Sequence, residues 1–173
     1  FTAENVVGHT IPYIDGQVSI SRTARVFPTY LIFKPSMFLT AFFLIQYWRF
    51  NFNLMNKVTP NLNYKKFFLF FGIGSAIFLV LHSIFLGIKY DYNLYKLFRR
   101  ILVLCFIIFE IVAQTFLVIN LYKIKKKIKK FINSKILVAK IFLVSILVIV
   151  AIVSIPFLTM EGHKVFKHVL EWN

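Results

Sequence analysis

Glu110 is the one acidic side chain inside an apolar stretch that runs from Ile101 to Tyr122. At helical rise it lies ~15 Å below Arg100, close to the middle of a bilayer core. An ionisable group at that depth costs a few kcal/mol or more, so it faces a partner or a cavity. Gln114 sits one turn on and shares its face. His82, on the preceding apolar stretch, is the candidate partner. It lies ~9 Å below Ile88, so in an antiparallel pair it differs from Glu110 by about one turn in depth. Two chemistries suit Glu110, Gln114 and His82. One is a proton relay or a polar lipid-binding pocket. The other is a neutral Glu or a Glu–His pair that only holds helices together. One acid and one histidine do not make a catalytic set.

A second constellation is Lys123, Lys125, Lys126, Lys127, Lys129 and Lys130, interleaved with Ile124, Ile128 and Phe131 at helical spacing. Lysines in that pattern form a basic amphipathic segment lying in a membrane interface. Each can contribute about 1 kcal/mol beside an anionic leaflet. The same lysines can also serve topology alone. His163 and His168 are five residues apart, ~140° off one helix face, which is not a zinc spacing. His9 has no identifiable partner. No Gly-rich phosphate loop and no Ser, Cys and His set of recognisable spacing is present. No cofactor or metal is expected, and an enzyme is the third choice among functions.

The elements that position these residues are long apolar runs. Of 173 residues, 59% are hydrophobic and 22 are phenylalanine, too apolar for a soluble domain of this size. Runs over 35–50, 67–88, 98–122 and 136–160 suit bilayer-spanning helices. The first is short, but Tyr30–Phe33 extends it beyond Lys34 and Pro35. The expected fold is all-α, a polytopic transmembrane bundle with four complete spans. The start of a fifth helix is expected over 162–173, since a new helical pattern begins at Gly162. The expected domains are an extracytoplasmic lead loop, 1–34, and a transmembrane helical domain, 35–173. The linking segments are Asn-rich at 51–64, short and polar at 89–96, and lysine-rich at 123–135.

The net charge of +15 lies between the apolar runs, so the anionic partner is lipid headgroups and not nucleic acid. The links after the first and third runs hold Arg49, Lys57, Lys65, Lys66 and Lys135 besides the six lysines above, with no acid. The opposite side carries Arg22, Arg25, Lys34, Lys89, Lys96, Arg99, Arg100, Lys164 and Lys167, along with Glu4, Asp15, Asp91, Glu161 and Glu171. Cation bias sets topology, so the 123–135 link is expected in the cytoplasm and 1–34 on the other side. Which membrane is involved is not written in the sequence. Cys105 lies within an apolar run and has no second cysteine to pair with.

The lead loop carries Pro12 and Tyr13, then Ile20, Ser21, Thr23, Pro28 and Phe33. This order of Ile-Ser, Thr, Pro and Phe resembles the first extracytoplasmic loop of the DRAM family. That family comprises damage-regulated autophagy modulators, fungal Sfk proteins and GPI-anchor lipid-remodelling proteins. His168 to Trp172, with Glu171 before the tryptophan, looks like the start of that family's last helix. The resemblance implies a six-helix fold, with one helix before Phe1 and one continuing past Asn173. It also implies a role in membrane-lipid organisation or remodelling. Arg22 stands where the family carries an acid and Ala24 where it carries glycine. A second proline is absent. These departures bear on ligand chemistry at the loop more than on the fold.

Two functions of different class follow. One is lipid organisation or remodelling, with anionic lipid on the cytoplasmic side as the partner. The other is a non-catalytic accessory subunit packed against other membrane subunits. The topology is testable by impermeant thiol labelling of intact cells. A cysteine placed at Gly16 is expected to be modified and one at Lys127 protected; the reverse pattern would invert the orientation.

Overall fold

The computed structural model describes residues 11, 14, 27–60, 65–86, 92–128 and 133–159. The regular structure among them is helix throughout. The helices are α1 (Thr29–Val58), α2 (Lys65–Phe85), α3 (Asn93–Lys123), α4 (Lys125–Ile128) and α5 (Ser134–Thr159). Four of them are long and apolar enough to cross a membrane: α1, α2, α3 from Leu97, and α5 as far as Val153. The reason is that hydrocarbon offers no partner to backbone polar groups, and a helix satisfies its own. The chain is thus an all-α, multipass membrane protein. The helix expected over 162–173 lies outside the described residues.

Two helix boundaries differ from the sequence reading. Helix α1 begins at Thr29, six residues before the expected 35, so the end of the lead loop is helical. Pro28 immediately precedes it, and Pro35 falls in its second turn and not at its start. A proline there removes one hydrogen bond near a helix end, which a spanning helix tolerates. At the other end α1 runs to Val58, through half of the expected Asn-rich link. Packing explains the extension. Met55 is fully buried and Phe52 packs on Phe68. Asn51 turns its amide back onto the Tyr47 carbonyl at 2.8 Å, so its polarity is absorbed within the helix.

Lys34–Val150 form one compact unit. Within it α2 and α3 pair along their length through interleaved phenylalanines. Phe71 meets Phe109 edge-on with centroids 5.2 Å apart, and Phe78 meets Phe109 at 5.0 Å. Phe67 and Phe71 both stack on Phe116. Close approach is possible because Gly74 faces Phe109. A Cβ at 74 would stand 2.7 Å from that ring. Helix α1 docks on the other side of α2 in the same manner. Trp48 is fully buried against Phe68 and lies over Gly72, where a Cβ would come within 2.3 Å of the indole. Ala41, Ala76 and Leu79 continue that seam. Helix α5 joins through a narrow stripe of Leu137, Lys140, Ile141 and Val144, with Leu137 entering the cluster of Leu117, Leu121 and Ile124. Asn133 caps α5: its side-chain oxygen accepts from the Lys135 backbone N–H at 2.9 Å.

The second unit's described residues are 11, 14, 27–33 and 151–159. It contains the first turn of α1, where the Leu31 N–H donates to the Pro28 carbonyl at 3.0 Å, and the end of α5.

The Gly72 seam makes a direct test. Gly72→Ala is expected to destabilise the bundle by about 1–3 kcal/mol, because the added methyl must displace a buried indole. Equilibrium unfolding in mixed detergent reads this. The cost should shrink in a Trp48→Leu background, where the clashing ring is gone.

Candidate functional site

The intramembrane polar site is built by α2 and α3. Glu110 projects from the middle of α3 toward α2, and its two oxygens are both engaged. Gln114 Nε2 donates to Oε1 at 2.9 Å, one turn along the same helix. Oε2 lies 2.7 Å from the Ser75 hydroxyl on α2. Ser75 is fully buried, and its Oγ is also 2.8 Å from the Gly72 carbonyl. Its single hydrogen is shared between the Glu110 carboxyl on α3 and the Gly72 carbonyl within α2. The arrangement is a clasp across the α2–α3 seam. Both carboxyl oxygens are held inside the helix pair.

His82 is not part of this clasp. The expected pairing with Glu110 fails by register: Ser75 occupies that place, and His82 lies seven residues further along α2, ~10 Å away. The sequence reading took Ile88 and Arg100 as equal in depth. In the structure Phe85 packs on Phe98, which slides α3 about a turn along α2. His82 instead neighbours Arg99, whose side chain and backbone both act on the imidazole. Its Nδ1 is buried with no hydrogen-bond partner among the described residues.

The basic segment continues α3 with a single irregular residue. Ile124 ends α3, its N–H donating to the Asn120 carbonyl at 3.1 Å, and α4 resumes at Lys125. Ile124 is buried in the core cluster, while Lys123, Lys125, Lys126 and Lys127 are exposed. Lys125 lies over the Tyr122 ring at 4.5 Å. Lys129 and Lys130 fall outside the described residues, as do Pro12, Tyr13, Ile20, Ser21 and Thr23 of the loop motif. Pro28 is exposed in the turn before α1, and Phe33 lies within α1, half-buried.

The sequence reading missed Lys140. It sits inside the fourth apolar run, ~9 Å from the start of α5. Its ammonium group donates to the Tyr47 hydroxyl on α1 and stands over that ring at 5.1 Å. The signal was available, since a lysine within a span is as informative as a glutamate. Asn120 was missed as well. It is fully buried on α3, with neither amide atom hydrogen-bonded among the described residues.

No protein-family model, no curated protein and no solved structure matches this chain.

The clasp predicts a split between two substitutions. Glu110→Gln can still accept from Gln114 and pair with the Ser75 hydroxyl, which both donates and accepts, and is expected to leave stability within about 0.5 kcal/mol. Glu110→Leu strands Gln114 and is expected to cost about 1–2 kcal/mol. Unfolding in micelles measures both. A large loss in the Gln variant would show that the ionised carboxylate is what the seam needs.

Proposed function

We infer that this chain is a lipid-organising membrane protein that gathers anionic headgroups at the lysine-rich end of its bundle without transforming them. The observation that carries this reading is the joint at Ile124. A buried isoleucine ties the basic turn to the core, and Lys125, Lys126 and Lys127 point outward at the level where α3 leaves the hydrocarbon. A flexible lysine tail would serve topology equally well. A turn locked to the bundle presents its charges at a fixed place on the membrane surface. Among the described residues the only carboxylate is Glu110, which is held inside the α2–α3 seam, so those cations meet no internal acid. The Glu110 clasp supports a binding role over a catalytic one, because neither oxygen is left for a substrate. The likeness of the 12–33 loop to the DRAM family points toward lipids as well, and the reading does not depend on it.

The test is retention of lipid after gentle purification. Native mass spectrometry of the wild-type protein from mixed micelles is expected to show bound phosphatidylglycerol, displaced as salt rises. Lys125→Gln, Lys126→Gln and Lys127→Gln together should lower lipid affinity about a hundredfold, at about 1 kcal/mol for each charge lost. Unchanged occupancy, or a stoichiometric protein partner in place of lipid, would favour the accessory-subunit role instead.

A further inference from the structure

Helix α1 turns one face to the bundle and the opposite face outward. Its buried residues are Ala41, Trp48 and Met55. On the far side Leu39, Phe43, Gln46, Phe50 and Asn53 are all exposed. Their steps of four and three residues alternate, the spacing that keeps one helix against another along a shared seam. Leucine and phenylalanine suit acyl chains. Gln46 does not.

The depth of Gln46 follows from the packing of α1 on α2. Trp48 lies over Gly72, and Ala41 packs with Ala76 and Leu79, so the two helices run antiparallel. Two residues before Trp48, Gln46 is therefore level with Gly74, next to the Ser75–Glu110 contact in the middle of the spans. Headgroups lie ~15 Å away in a core ~30 Å thick, beyond the reach of a glutamine side chain. Among the described residues nothing hydrogen-bonds to the Gln46 amide. A carboxamide left alone in hydrocarbon is costly, whereas between two membrane helices it becomes a point of attachment.

The charge pattern of this face is complementary to itself. A carboxamide has a partially positive donor, Nε2, and a partially negative acceptor, Oε1, so two glutamines satisfy each other. Across a two-fold axis along the membrane normal, each residue on the axis meets its own copy. Gln46 then faces Gln46, with Phe43 and Phe50 on either side, and Asn53, seven residues on, faces Asn53. A polar residue inside such a seam fixes register and the number of chains. Arg49 is exposed on the flank of the stripe and not in it. Its long stem carries the charge toward the headgroups at the lysine-rich end, away from the Arg49 of a second copy.

We propose that this chain forms a parallel homodimer through the outward face of α1, with the two Gln46 amides hydrogen-bonded to each other at mid-membrane. The lysine turns of both copies then lie on the same side of the membrane. The dimer seam and the headgroup-binding turn are separate, so either can stand without the other.

The experiment reconstitutes the full chain in phosphatidylcholine vesicles and follows energy transfer between donor- and acceptor-labelled copies as added lipid dilutes them. Gln46→Leu is expected to weaken association about tenfold, as loss of an interhelical amide pair does. Gln46→Asn, which keeps the amide, should stay within about threefold of wild type. A second measurement maps the face. In a Cys105→Ser background, oxidation should link copies carrying Phe50→Cys and should not link copies carrying Ile149→Cys, which lies on the outward face of α5. Should Gln46→Leu fail to fold by circular dichroism, the cross-linking pattern decides. The proposal is overturned if the wild-type chain is monomeric at every dilution, in which case another segment or a different protein covers Gln46. It is equally overturned if Gln46→Leu associates as tightly as wild type, or if Ile149→Cys links as readily as Phe50→Cys.

Discussion

A carboxyl group in the middle of a bilayer must be met by hydrogen-bonding partners, and in this chain the requirement sets the register of two helices. Glu110 reaches Ser75 across the seam and Gln114 along its own helix. Once Ser75 and Glu110 are level, the neighbouring pairs follow: Gly74 beneath Phe109, Phe71 against Phe116, Phe85 against Phe98. A slip of one turn would break the clasp and drive ring into ring. Hydrophobic burial cannot supply such a constraint, because lipid is as apolar as the seam. Polar contact and steric fit are what remain.

The other two spans attach to this pair by different means. Helix α1 uses shape, with a large ring set over a residue that lacks a side chain. Helix α5 uses a narrow stripe and one charge-bearing contact, Lys140 to Tyr47, leaving most of its circumference exposed. Phe142, Leu143, Ile146, Leu147, Ile149 and Val150 all face outward. In water such a surface would aggregate. In hydrocarbon it is the solvent-exposed side of the molecule, and it needs no partner to be stable.

The spans themselves were legible because length and apolarity follow directly from bilayer thickness. The position of Glu110 within the bundle and its link to Gln114 were legible for a related reason, since a carboxyl cannot face acyl chains without cost. The pairing of His82 was not legible. Depth was counted from the ends of apolar runs, and those ends do not report where helices start. Helix α3 begins at Asn93, well before its apolar run, and α1 outlasts its run as far as Val58. Nor could the sequence say which face of α5 turns inward. In a soluble helix the apolar stripe marks the core, but α5 is apolar all round, so only packing distinguishes Leu137 and Val144 from their neighbours. Lys140 was visible throughout, yet it was overshadowed by the denser lysine run nearby.

The indole of Trp48 over Gly72 has a mechanical consequence. A ring seated where a methyl cannot fit behaves as a tooth in a notch. Helix α1 cannot slide along α2 without lifting that ring clear, because the residues one turn away on the same face, Phe68 and Ala76, both carry side chains. Axial translation is therefore blocked at this point, while rocking about it is not. Any excursion of α1 relative to α2 is then a swing around a fulcrum at the level of Trp48. The ends of a 30-residue helix would move farthest, and the centre of the seam would stay closed.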